Sequence, residues 1–125
     1  MITSLLQVAA GGALGAGARY LVNVAAMRAL GPGFPWATMV VNVAGSFLMG
    51  VLVVWLAKRG GTGWAPFLMT GVLGGFTTFS AFSLDVATLW ERGEAGLAAA
   101  YALASVVLSV GALFAALWLM RGWAA

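Results

Sequence analysis

The sequence has no cysteine and no histidine, and only three of its 125 residues are acidic. These absences exclude thiol nucleophiles, iron–sulfur ligation, imidazole bases and zinc sites built on imidazole. The acidic residues Asp85, Glu91 and Glu94 are too few and too scattered for acid–base catalysis or a carboxylate metal cage. The composition therefore does not predict an enzyme.

Charge of either sign is also scarce, because charged residues make up 7% of the chain and hydrophobic residues 63%. A soluble domain carries about 25% charged residues, so the composition predicts an integral membrane protein surrounded by lipid. The six basic residues are scattered. Nucleic-acid binding is not predicted, since it requires a clustered basic surface.

The length of the chain suits about four spanning helices of about 20 residues each. No Lys or Arg precedes Arg19, so the N-terminal apolar run is interpreted as a first helix and not as a signal peptide. We predict one all-α domain over residues 1–125, multi-pass in the cell (inner) membrane. Four helices enclose little, so self-association is expected. The predicted spans are residues 3–27, 36–57, 66–90 and 95–120.

The third span is unusual because two glycines and several hydroxyl side chains interrupt an apolar segment. We predict a break at Gly74-Gly75, near the middle of the membrane, with Thr77, Thr78 and Ser80 beside it. Backbone groups freed at that depth need partners, because hydrocarbon offers none. Broken helices recur in membrane proteins that bind or move ions.

Polar side chains follow helical spacing on two other spans. In the second span, the amide of Asn42 is consistent with either an interhelical hydrogen bond or a donor that lines a pore. Phe79 and Phe82 share a face just after the predicted break. The polar stripes consist of Thr38, Asn42 and Ser46 in the second span and Tyr101, Ser105 and Ser109 in the fourth.

The first span carries a G-x-x-x-G pair, Gly11 and Gly15, which allows another backbone to approach closely. That partner is either another span of the same chain or a second copy. Arg19 lies towards the C-terminal third of the span. We expect it to extend to the mouth, because a charge within hydrocarbon is costly.

The basic residues predict no single orientation in the membrane. One side holds Lys58, Arg59 and Arg121, and the other holds Arg28 and Arg92, joined by Arg19 if it extends there. Since the Lys/Arg asymmetry sets orientation, such a chain is expected to insert both ways up. Two opposed copies would then pair about an axis near the break, where backbone carbonyls from both would suit a dehydrated monovalent cation.

Three strings of this sequence resemble the Fluc (CrcB) family of fluoride channels. They are GALGAGARY at residues 12–20, TMVVNVAGSF at 38–47 and GVLGGFTTFSAFS at 71–83. The likeness covers all four spans in order, and the third string is specific to that family. Two positions depart from the family pattern: Ala81 replaces a Thr or Ser, and Ala37 replaces a Gly.

The resemblance implies an antiparallel, dual-topology homodimer with two fluoride pores and a structural sodium ion at its centre. It implies passive fluoride efflux and hence protection from fluoride toxicity. The sodium ligands would be the backbone carbonyls of Gly74 and Thr77. The pore would be lined by Asn42, Phe79, Phe82, Tyr101, Ser105 and Ser109, with Arg19 near the vestibule and Thr38, Ser46, Gly75, Thr78 and Ser80 in support.

Two other functions are compatible with a small four-helix membrane protein. A small dual-topology multidrug or cation exporter needs a membrane carboxylate to exchange protons for its substrate. The first span has none, and Asp85 in the third span lies near the interface. A non-transporting assembly subunit would use its small residues for packing, but that role does not explain why the break and the phenylalanine pair occur together.

Overall fold

The computed structural model describes residues 1–124, so the last residue of the predicted domain, Ala125, lies outside it. The described chain is helical: α1 (Ile2–Leu30), α2 (Trp36–Arg59), α3 (Gly74–Phe76), α4 (Ser80–Glu91) and α5 (Ala95–Ala124). A 3₁₀ turn at Thr62–Trp64 and a π-helical stretch at Pro66–Leu73 precede α3.

Four helical segments in the described residues are long and apolar enough to cross a membrane, as the sequence predicts. They are Ile2–Leu30, Trp36–Arg59, Thr62–Glu91 and Ala95–Gly122. We refer to Thr62–Glu91 as the third span. α2 continues past its predicted end at residue 57, because the first left-handed residue available to end it is Gly60.

The third span is interrupted, but the prediction that Gly74-Gly75 forms the break is wrong. Both glycines lie in the short helix α3. The backbone becomes extended at Thr77, with φ −87° and ψ 161°, and α4 begins at Ser80. We call residues 77–79 the interruption. Glycine permits a break in a helix but does not require one. The backbone amide and carbonyl that find partners outside the helix belong to Thr78, three residues after Gly75.

Gly71 and Gly75 allow α1 to pack closely on the third span. A Cβ added to Gly75 would lie 2.6 Å from the Gly12 carbonyl oxygen, and one added to Gly71 would lie 2.9 Å from the Gly11 Cα. A Cβ on Gly15 would overlap the Val72 carbonyl. The glycines of the first span therefore pack against the third span of the same chain, which is one of the two partners predicted from the sequence.

In the remaining contacts, α2 and α4 both pack against α5. Gly50 of α2 faces the backbone of α5, where an added Cβ would lie 2.7 Å from the Leu113 carbonyl oxygen. Leu89 of α4 and Tyr101 of α5 are buried in one apolar cluster. Many large apolar side chains remain on the outside, as expected for a chain whose surroundings are lipid or another copy.

Candidate functional site

The interruption is held by one side chain from α2. The Asn42 side-chain nitrogen donates to the Thr78 carbonyl oxygen at 2.9 Å, and the Thr78 amide donates to Asn42 Oδ1 at 2.8 Å. One amide side chain thus satisfies both backbone groups of a residue that has left the helix. An unpaired buried amide or carbonyl would cost about as much as a lost hydrogen bond.

Hydroxyl groups of the third span serve the backbone on either side of the interruption. Thr77 Oγ1 donates to the Leu73 carbonyl oxygen at 2.9 Å, and Thr78 Oγ1 accepts the Ala81 amide at 3.2 Å. Ser80 Oγ lies 3.5 Å from Thr78 Oγ1. Thr78 therefore caps the start of α4 in the way that hydroxyl side chains commonly do.

Two carbonyls at the interruption lose the amides that a continuous helix would give them. In an α-helix, the Thr78 amide would bond the Gly74 carbonyl and the Ala81 amide would bond the Thr77 carbonyl. Here the Thr78 amide donates to Asn42 Oδ1, and the Ala81 amide donates to Thr78 Oγ1. The carbonyls of Gly74 and Thr77 are the two that the family resemblance assigns to sodium. Neutral oxygens of this kind suit an alkali cation.

Arg19 lies beside the interruption instead of extending to the end of α1. Its Nε donates to the Gly75 carbonyl oxygen at 3.1 Å. Gly15, one turn earlier on α1, already packs against the backbone of Val72 and Phe76, so Arg19 is held at the same level. The guanidinium thereby satisfies another carbonyl near the end of α3, and the predicted vestibule role of Arg19 stays a prediction.

An open cavity of about 460 Å³ borders the interruption. Its apolar wall includes Met49, Val106 and Leu113. Most of the polar and aromatic residues predicted to form a site, although far apart in sequence, meet around it. These are Asn42, Ser46, Gly74, Thr77, Thr78, Phe79, Phe82, Ser105 and Ser109.

Two hydroxyls in this cavity have no hydrogen-bond partner among the described residues. They belong to Ser105 and Ser109, and both oxygens are buried. Buried polar side-chain atoms are usually paired, so such exceptions call for an explanation. Each hydroxyl therefore carries a hydrogen that no described residue accepts.

The phenylalanine pair forms an aromatic border of the same cavity. The ring centroids of Phe79 and Phe82 are 5.7 Å apart and the ring planes are inclined by 55°. Phe79 is 78% exposed, whereas Phe82 also packs at 5.3 Å from Tyr101. Aromatic edges carry partial positive charge, so ring edges turned towards the cavity would attract an anion without a formal charge.

Five predicted site residues are not among those that line this cavity, namely Arg19, Thr38, Gly75, Ser80 and Tyr101. Tyr101 is buried, and its hydroxyl donates to Asp85 Oδ2 at 2.9 Å. Thr38 lines a second cavity of about 240 Å³ together with Asp85. The sequence did not predict a partner for Asp85. Its hydrogen bond with Tyr101 joins two different helices, and the spacing of residues within one helix does not indicate such a bond. Gly75 instead accepts from Arg19.

Comparison with known proteins gives consistent matches along the chain. Residues 6–117 match the family model described as CrcB-like protein, Camphor Resistance (CrcB). A Cereibacter sphaeroides protein named fluoride-specific ion channel FluC is 69% identical over 125 residues, which is all of both chains. A protein of the same name from Paracoccus denitrificans is 60% identical over 95% of both chains. Another, from Mesorhizobium japonicum, is 56% identical over 94% of this chain and 96% of the relative.

Proposed function

Because this chain belongs to the CrcB family, whose relatives are named as ion channels and not as enzymes, we propose that it is a fluoride-selective channel. It lets fluoride leave the cell passively and so protects the cell from fluoride toxicity. The cavity at the interruption carries the proposal, since two unpartnered hydroxyls, an amide and a pair of phenylalanine rings meet there. Relatives at up to 69% identity bear the name of that function.

The chemistry of the cavity suits fluoride because this small anion is strongly hydrated and its water must be replaced by other donors. The hydroxyls of Ser105 and Ser109 donate, and the Asn42 amide has a second hydrogen beyond the one given to Thr78. Ring edges of Phe79 and Phe82 add partial positive charge. No Lys or Arg is among the described residues lining the cavity, which keeps binding weak enough for exit.

The first prediction is that the reconstituted protein passes fluoride and excludes chloride. Liposomes loaded with fluoride should release it down its gradient, as recorded by a fluoride electrode, because the cavity offers donors to a small anion. Liposomes loaded with chloride should retain it. Folded protein that releases no fluoride would refute the channel and would leave the exporter and the assembly-subunit alternatives.

We also propose that two copies pair as an antiparallel, dual-topology homodimer in the cell inner membrane. The two membrane sides of the four spans carry similar numbers of basic residues, namely Lys58, Arg59 and Arg121 against Arg28 and Arg92. Arg19, which sequence reasoning allowed on the second side, is bound at the interruption. A difference of this size gives little preference for one orientation.

The absence of cysteine allows the orientation to be measured directly. Gly63 lies in the 3₁₀ turn at the start of the third span, and an added Cβ there meets no atom within 4 Å. An impermeant maleimide added outside sealed cells should label about half of the Gly63→Cys molecules, since both orientations are expected. Gly33→Cys, at the opposite end of the spans, should give the same fraction. Labelling of all molecules at one position and of none at the other would exclude dual topology.

A structural sodium ion at the dimer centre is the third part of the proposal. The carbonyls of Gly74 and Thr77 from both copies would hold it, and the diversion of the Thr78 and Ala81 amides supports this assignment. When bound, the ion supplies positive charge close to the anion path. Equal unfolding temperatures of the purified protein in sodium and potassium chloride would count against it.

A further inference from the structure

The hydrogen bonds between Asn42 and Thr78 do more than cap an isolated polar group. They join two residues that are 36 positions apart in the chain. The Asn42 side chain donates to the Thr78 carbonyl and also accepts from the Thr78 amide. A single interhelical hydrogen bond would leave the Thr78 backbone free to rotate about it. The paired contact fixes the position and the orientation of that backbone.

Thr78 lies between the two groups to which the proposed function assigns the ions. Thr77 precedes it and carries one of the carbonyls freed from helical bonding, and Phe79 follows it. The Phe79 side chain is 78% exposed, so its own packing does little to hold the ring. The direction of the ring therefore depends on the backbone to which it is attached.

We propose that Asn42 is a positioning residue: by clamping the Thr78 backbone, it sets where the Phe79 ring and the Thr77 carbonyl point. This inference rests on the proposed fluoride path, to which it adds a second role for Asn42. Sequence reasoning treated the interhelical bond and the pore donor as alternatives. The two are compatible, because the amide nitrogen carries two hydrogens and Thr78 takes one of them.

Two variants of Asn42 differ in which of its bonds to Thr78 they keep. Asn42→Ser is too short to reach both groups of Thr78, so it removes the clamp. Asn42→Asp keeps an oxygen that accepts the Thr78 amide, but it loses the bond to the Thr78 carbonyl and places negative charge beside the anion path. Asn23→Ser makes the matched change on α1, at an exposed asparagine away from the interruption.

The measurement is hydrogen exchange at the Thr78 amide, followed by mass spectrometry, together with fluoride release from liposomes. Asn42→Ser should exchange about tenfold faster at Thr78, since one net hydrogen bond is worth about that factor. It should also lose most of its flux. Asn42→Asp should retain the protection of this amide and still lose flux, while Asn23→Ser should change neither quantity.

Two results would overturn the positioning role. The first is unchanged Thr78 exchange in folded Asn42→Ser, which would mean that the side chain does not hold this backbone. The second is full flux in Asn42→Ser despite faster exchange, which would mean that the path does not depend on the clamp. A wild-type protein without flux would instead refute the proposed function, and the exchange data would still report on the clamp itself.

Discussion

Replacing Phe79 by isoleucine is expected to lower fluoride release from liposomes by about a hundredfold, or about 2.7 kcal/mol in the barrier to permeation. Isoleucine keeps most of the apolar volume but has no aromatic edge, so the partial positive charge offered to the anion is lost. The exposed ring packs against few neighbours in the single chain. The fold should therefore survive the change.

Phe114→Ile is the matched control for this prediction. Phe114 is an exposed ring on α5 that does not line the cavity at the interruption, so its replacement should leave fluoride release unchanged. Each variant is compared with the wild type by gel filtration and by release rate. Equal rates for Phe79→Ile and the wild type would remove this ring from the fluoride path.

Gly15→Ala is expected to prevent stable folding, with a loss of about 3 kcal/mol or more. The new methyl group would overlap the Val72 carbonyl and lie 2.8 Å from the Phe76 backbone nitrogen. Because both obstacles are backbone atoms, no side-chain rotation relieves the contact. α1 would have to move away from the third span, and the bond from Arg19 to the Gly75 carbonyl would be lost with it.

Gly17→Ala tests whether this effect comes from the contact and not from the loss of a glycine. A Cβ on Gly17, in the same helix, meets no atom within 4 Å. Alanine has the higher helix propensity, by up to about 1 kcal/mol, so the unfolding temperature should stay the same or rise slightly. The yield of folded protein and its unfolding temperature measure both variants. A Gly15→Ala protein as stable as Gly17→Ala would contradict the close packing.

The class of the protein and most residues of the cavity could be predicted from the sequence. Low charge and apolar runs of sufficient length predict membrane spans whatever their partners are. The spacing that places Ser105 and Ser109 on one face of α5 is a local property of helices. Phe79, the last residue of the interruption, and Phe82 of α4 line the same cavity as these two serines. The resemblance then supplied their assignment to fluoride.

The position of the interruption could not be predicted from the third span alone. Gly74 and Gly75 have the composition of a break, yet both are helical, and Gly75 uses its lack of a side chain for close contact with α1. The chain leaves the helix at Thr77 and Thr78, where Asn42 on another helix provides partners. No local pattern near residue 77 contains that information.

The sequence by itself determined that this protein spans a membrane, with polar faces on defined helices, because composition and helical period are properties of each segment. Only the tertiary structure decided where the third span breaks, that Arg19 binds the Gly75 carbonyl, and that the Tyr101 hydroxyl bonds Asp85. These features depend on contacts between segments far apart in the chain. Such contacts depend on how the helices pack, and the periodicity of each helix does not determine them.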